Sequence, residues 1–171
     1  MWKKTIMLTL ALFICLAAFS SIQAQRDPID RETEDNIRKL LNRELSVSAD
    51  NIMIAVEKGQ VTLSGTVDHL LAKERAARLA QRVPGVEGVN NDIELIDIKI
   101  GNEELKRNIR RALKDNEVTA DAKISMNVHD GIVDLYGKVG LPEMKTAIQN
   151  IVQQTRGVRE VDNQIEVTSS G

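Results

Sequence analysis

The segment Glu104-Leu105-Lys106-Arg107-Asn108-Ile109-Arg110-Arg111-Ala112-Leu113-Lys114 holds the densest group of chemically capable side chains in the sequence. At helical spacing Leu105, Ile109 and Leu113 share one side, while Lys106, Arg107, Arg110, Arg111 and Lys114 gather away from it. Such a face can do one of two things. It can be an ordinary solvated helix surface making i,i+4 ion pairs. Or it can hold the chain against an anionic lipid surface, where each cation contributes roughly 1 kcal/mol.

Other candidate chemistry is sparse. His69 and His129 are the two histidines, and neither has a second histidine or carboxylate at metal-ligand spacing. His69 reads as a solvated residue at a helix start and His129 as a turn residue. Asp130-Gly131 lacks the alternating acidic ligands and the distal Glu of a calcium loop. No Gly-x-Ser-x-Gly elbow and no Gly-Lys-Ser/Thr phosphate loop occurs. Ser64-Gly65 lies in strand-like sequence, a poor place for a nucleophile. No catalytic residue, metal or cofactor is expected.

The elements that position these residues come as a tandem duplication. Val56-Glu57-Lys58-Gly59-Gln60-Val61-Thr62-Leu63-Ser64-Gly65-Thr66-Val67 returns as Val128-His129-Asp130-Gly131-Ile132-Val133-Asp134-Leu135-Tyr136-Gly137-Lys138-Val139, at an offset of 72. The register holds downstream, where Gly85-Val86, Val89, Asn91 and Ile93 answer to Gly157-Val158, Val161, Asn163 and Ile165. It also holds upstream, where Ile37, Arg38 and Leu41 answer to Ile109, Arg110 and Leu113.

In each copy, alternating apolar residues predict a hairpin, with Glu57-Lys58-Gly59 as the first tight turn. Gly65 shares the buried face with Val61, Leu63 and Val67. It allows either close approach of a helix or a bulge with positive φ. A first helix is predicted over Thr33–Leu45, closed by Ser48–Asp50. A second is capped by Asp68, striped by Ala72, Ala76, Leu79, Ala80 and Val83, and ended by Pro84-Gly85. Val89–Ile98 supplies the third strand. The matched Asn91 and Asn163, in a turn or early strand, read as Asx-type bonds holding the bend before the last strand. Because a helix joins the second and third strands, these should run parallel. The fold class is α+β: two αββαβ units, each a three-stranded mixed sheet covered on one face by two helices. The connector Asp97–Gly101 is too short and apolar for a free tether, so the two units should touch.

Met1-Trp2-Lys3-Lys4, an apolar run from Thr5 to Phe19, and Ile22-Gln23-Ala24 have the layout of a signal peptide over residues 1–24, cleaved before Gln25. An uncleaved anchor is the alternative, but the run is shorter than the roughly 20 residues a span needs. Cys15, the single cysteine, sits in that run, and Leu12-Phe13-Ile14 ahead of it does not fit a lipoprotein cleavage site. Cleavage would leave no cysteine, and a bacterial periplasm suits such a composition. Residues 25–30 read as a leader, 31–98 and 103–168 as the two domains. Losing Lys3 and Lys4 with no acid moves the formal charge from −2 to −4. That balance, with Tyr136 the one aromatic after the signal, argues against nucleic acid as a partner.

The pattern carried by Gly59, Val61, Leu63, Gly65, Val67, Gly85, Val86, Val89, Asn91 and Ile93 resembles the BON domain. So does the second set: Gly131, Val133, Leu135, Gly137, Val139, Gly157, Val158, Val161, Asn163 and Ile165. The resemblance implies a non-enzymatic envelope protein, associated with phospholipid membranes and with osmotic stress, and periplasmic in this arrangement. Its motif residues are structural. The charge pattern of Lys106, Arg107, Arg110, Arg111 and Lys114 leaves a solvated face and a lipid contact both open, and the resemblance favours lipid. A protein-interaction scaffold or chaperone-like adaptor with an envelope partner is the second expectation, working through exposed sheet faces or edges.

Overall fold

A computed structural model describes residues 27–45 and 50–168. The signal segment expected over residues 1–24, with Cys15, lies outside the described residues, as do Gln25, Arg26 and Ser48. The elements are α1 (Pro28–Leu45), β1 (Ile52–Glu57), β2 (Gln60–Val67), α2 (Leu70–Ala80) and β3 (Gly88–Leu95), then α3 (Asn102–Lys114), β4 (Ile124–His129), β5 (Ile132–Val139), α4 (Pro142–Gln154) and β6 (Glu160–Val167). None of the described helices is long and apolar enough to cross a membrane.

The chain builds two three-stranded sheets, ordered β1-β2-β3 and β4-β5-β6. In each, the hairpin is antiparallel and the third strand runs parallel to the second: Val56 faces Val61 and Leu63 faces Asn91 in one, Val128 faces Val133 and Leu135 faces Asn163 in the other. Burial alternates along the strands, so Ile52, Ile54 and Val56 point inward while Met53 and Ala55 do not. The inward residues meet Ile37 and Leu41 of α1 and the small stripe Ala72, Ala76 and Ala80 of α2. The second core repeats this with Leu105, Ile109 and Leu113 from α3 and Ile148 and Val152 from α4. Alanines on α2 let that helix lie low, whereas α4 fills the same space with isoleucine and valine.

Both hairpin turns are two-residue turns with positive φ at each position: Lys58 at 49° and Gly59 at 75°, Asp130 at 50° and Gly131 at 83°. That geometry matches the natural twist of the flanking strands. Gly65 resolves in favour of the backbone alternative. Its φ is +109°, and a side chain there would meet the carbonyl oxygen of Asn51 at the start of β1, not a helix.

The first helix begins at Pro28, five residues before the expected Thr33, so residues 28–30 of the expected leader are helical. Asp27 initiates it, its Oδ1 accepting the Ile29 N–H at 2.9 Å. The early start has a purpose. Asp30 is buried, and its carboxylate accepts the N–H groups of Lys58 at 2.8 Å and Gly59 at 3.2 Å, tying helix to hairpin. Asn102 does the same in the second copy, accepting the Asp130 N–H at 3.0 Å. Replacing Asp30 with Ala strips both turn donors of their partner. The expected loss is about 1–3 kcal/mol of unfolding free energy, read by urea denaturation. Asp30→Asn should lose less, because the second copy closes its turn with an amide.

Two other expectations shift. The α2 cap is His69, whose Nδ1 accepts the Ala72 N–H at 3.0 Å. Asp68 turns instead to the second domain. The third strand ends at Leu95, which leaves Ile96–Gly101 as the connector.

Candidate functional site

The basic segment forms α3. Its Leu105, Ile109 and Leu113 are buried, with Leu105 and Ile109 at 1% and 0% exposure, which fixes the rotation of the helix. That rotation turns Arg107, Arg110, Arg111 and Lys114 to solvent, with Lys106 half-buried at the edge. Glu103 and Glu104 occupy the first turn and Arg111 and Lys114 the last, which suits the helix dipole. Among the described residues, no hydrogen bond or ion pair engages any of the five cations. The sequence-assigned cluster is therefore one contiguous, unneutralised surface.

The first copy shows what the alternative looks like. At the matching positions α1 carries Glu34, Asp35, Arg38, Lys39 and Asn42. There Arg38 donates to Glu34 at 3.0 Å, an i,i+4 pair. At these positions α1 carries both signs and pairs Arg38 with Glu34, whereas α3 carries five cations that make no ion pair among the described residues, its acids Glu103 and Glu104 lying in the first turn. One scaffold thus presents two different electrostatic faces.

Beside α3, the loop 115–123 folds back under the helix end. Asn116 Oδ1 accepts the Val118 N–H at 3.0 Å, and the buried Thr119 donates its hydroxyl to the Leu113 carbonyl at 2.6 Å, closing the last turn. Val118 is left 49% exposed. Between loop, helix and β4 lies a cavity of about 200 Å³ lined by Arg110, Leu113, Lys114, Thr119, Ala120, Ala122, Ile124 and Met126. Sequence periodicity did not reveal this space, because it depends on how the loop folds back against the helix end.

A second basic surface, absent from the sequence reading, lies on the first domain. Arg75, Arg78 and Arg82 line a cleft of about 280 Å³ together with Leu79 and Glu44. Arginines three and four residues apart carry the signal in the sequence, while the alanine stripe of α2 marks its core face. Arg78 pairs with Glu74 at 3.3 Å. The second copy has Ala147, Asn150 and Gln154 at the corresponding positions.

The matched glycines and asparagines lie apart from the cationic face. Gly59 and Gly131 occupy the turns, Gly65 and Gly137 the middle strands, and Gly85 and Gly157 follow the second helices with positive φ. Of the two expected positions, a turn or the early strand, Asn91 takes the strand, within β3. Its Nδ2 donates to the Lys73 carbonyl of α2 at 2.9 Å while its Oδ1 accepts the Ile93 N–H at 3.4 Å. Asn163 repeats the second bond with Ile165 at 3.2 Å and reaches Gln149 of α4 at 3.1 Å. These asparagines fasten sheet to helix, in addition to the expected local bond. His129 ends β4, its Nδ1 3.9 Å from Asp134 Oδ2. Among the described residues, no group of three or more His, Cys, Asp or Glu side chains could hold a metal ion.

The domains are fastened together. α2 packs against α4, and Leu70 and Ile100 reach the second core. Gln153, 3% exposed, donates to both carboxylate oxygens of Glu74 at 3.0 Å. Arg156 donates to Asp68 Oδ2 through Nε at 3.0 Å and Nη2 at 2.7 Å, and Arg159 pairs with Asp97.

With this geometry in place, a family model described as BON domain matches the chain twice, over residues 29–97 and 101–169. The chain belongs to the BON-domain family. Both BON repeats begin where the helix-to-hairpin ties begin, near Asp30 and Asn102. Osmotically-inducible protein Y of Escherichia coli (strain K12) is 23% identical over 128 residues. The match spans 71% of this chain and 64% of that protein, a little under two thirds of the relative's length. Among solved structures, CdsD of Chlamydia trachomatis, described as a structural protein of the type III secretion system, has 17% identity and a TM-score of 0.33. That likeness covers 78% of this chain and 59% of the other. The CdsD C-terminal domain has 14% identity and a TM-score of 0.32, covering 84% of this chain and all of the other. Membership of the BON family describes the scaffold; the role is argued from the surface it presents.

Proposed function

We propose that this two-domain protein is a non-enzymatic envelope component, exported to the periplasm, that attaches reversibly to anionic phospholipid surfaces and supports the envelope under osmotic stress. The observation that carries the reading is the α3 face: five cations gathered on one side, four exposed and Lys106 half-buried at the edge, with no ion-pair partner among the described residues, on a chain with an overall acidic balance. BON-family membership and likeness to an osmotically inducible protein support the envelope and stress parts of the proposal.

The magnitude fits reversible attachment. At roughly 1 kcal/mol per cation near an anionic surface, the patch supplies at most about 5 kcal/mol, a dissociation constant on the order of 0.2 mM. The acidic remainder of the chain reduces this further. Attachment of that strength comes and goes with the ionic conditions at the surface.

The test is vesicle flotation of the chain from Gln25 onward, the form left after removal of residues 1–24. Vesicles containing phosphatidylglycerol should carry the protein at low salt and release it as salt approaches about 0.5 M, where screening shortens to a few ångströms. Purely zwitterionic vesicles should not carry it. Equal flotation on both vesicle types, or none on either, would reject the lipid reading. Recovery of a stable envelope protein partner without lipid preference would favour the scaffold alternative.

A further inference from the structure

We infer that the cavity beside α3 is a slot for a single hydrocarbon chain of an anionic amphiphile, with Arg110 and Lys114 holding the charged end. The inference rests on the proposed lipid-facing role of α3 and gives that surface a specific ligand. The slot is built from apolar groups at its floor, Leu113, Ile124 and Met126, with Leu113 7% and Met126 8% exposed. Ala122, with its small side chain, leaves the space open. Thr119 directs its hydroxyl hydrogen to the Leu113 carbonyl, so that donor is already engaged. Two cations therefore stand at the rim of an otherwise apolar recess.

That combination selects an occupant. A free inorganic anion would satisfy the rim and leave the floor wetted. A neutral hydrocarbon would fill the floor and leave the cations without a counter-charge. An amphiphile with one chain and an anionic head matches both. The first domain differs at the rim, where Asn42 stands in place of Lys114. Exposed Val118, on the same loop, adds an apolar side chain near the slot.

The experiment titrates the chain from Gln25 onward with decyl phosphate, inorganic phosphate and decyltrimethylammonium, each below its micelle-forming concentration. The readout is the methyl NMR resonances of Met126 and Ile124. Decyl phosphate should shift both and bind at least about tenfold more tightly than inorganic phosphate, since several methylenes leave water. Decyltrimethylammonium should bind more weakly than decyl phosphate. Ala122→Phe plugs the slot and should abolish the shifts while salt-sensitive flotation persists. Ala122→Asp places a carboxylate against the slot, and should also abolish them with the fold intact. Absence of methyl shifts, affinity no better than that of phosphate, or full binding by both variants would overturn the slot. If the wild-type protein binds decyl phosphate in the slot yet never floats with anionic vesicles, the slot stands and the membrane reading falls.

Discussion

A Gly65→Ala chain is expected to lose about 3 kcal/mol or more of unfolding free energy, combining a disfavoured left-handed conformation with a backbone clash. Gly65 has φ +109°, and an added Cβ would stand 2.0 Å from the Asn51 carbonyl oxygen. That oxygen cannot yield freely, because it accepts the Thr66 N–H at 3.3 Å beside the Ile52–Gly65 pairing that opens the hairpin. A unit of this size has only a few kcal/mol in reserve. Thermal denaturation by far-UV circular dichroism should therefore show early loss of the first domain. Gly137→Ala is the internal control. Its φ is +142°, but the nearest atom to an added Cβ, the Lys123 oxygen, lies 3.0 Å away. The second substitution should cost clearly less. Equal losses at the two sites would show that the Asn51 contact is not what demands glycine.

Reversing three charges on α3, with Arg107→Glu, Arg110→Glu and Arg111→Glu together, is expected to abolish flotation with phosphatidylglycerol vesicles. The change amounts to six unit charges on a surface where each is worth roughly 1 kcal/mol, so even a hundredfold loss is a modest expectation. Stability should move little, since all three side chains are exposed and make no ion pair among the described residues. Some cost at the helix end is expected where Arg111→Glu opposes the dipole. Reversing Arg38 and Lys39 on α1 gives the matched control and should leave flotation unchanged. Undiminished flotation of the triple variant would remove α3 as the contact.

Much of the architecture was legible because duplication doubles every weak signal. A Lys-Gly or Asp-Gly pair alone is a modest turn marker, but the two at a constant offset, each between alternating apolar runs, define the hairpins of both sheets. The cationic face was legible for a simpler reason: helical spacing places charge without help from tertiary structure. What escaped is long-range. Asp30 looks like part of a polar leader until the hairpin turn arrives to use its carboxylate. Asp68 has the composition of a cap, yet Arg156 from the other domain claims it and His69 takes the capping role. The slot beside α3 likewise depends on a loop whose path no periodicity describes. Local pattern reads local structure; partners far along the chain have to be seen.

The fastening of α2 to α4 bears on how the duplicated gene could diverge. Leu70, Asp68 and Glu74 on one half and Gln153 and Arg156 on the other form a lock with distinct sides. Neither half could be exchanged for a second copy of itself without misplacing those sides. The pair therefore has an order as well as a number: the twin with balanced charge comes first and the cationic twin second.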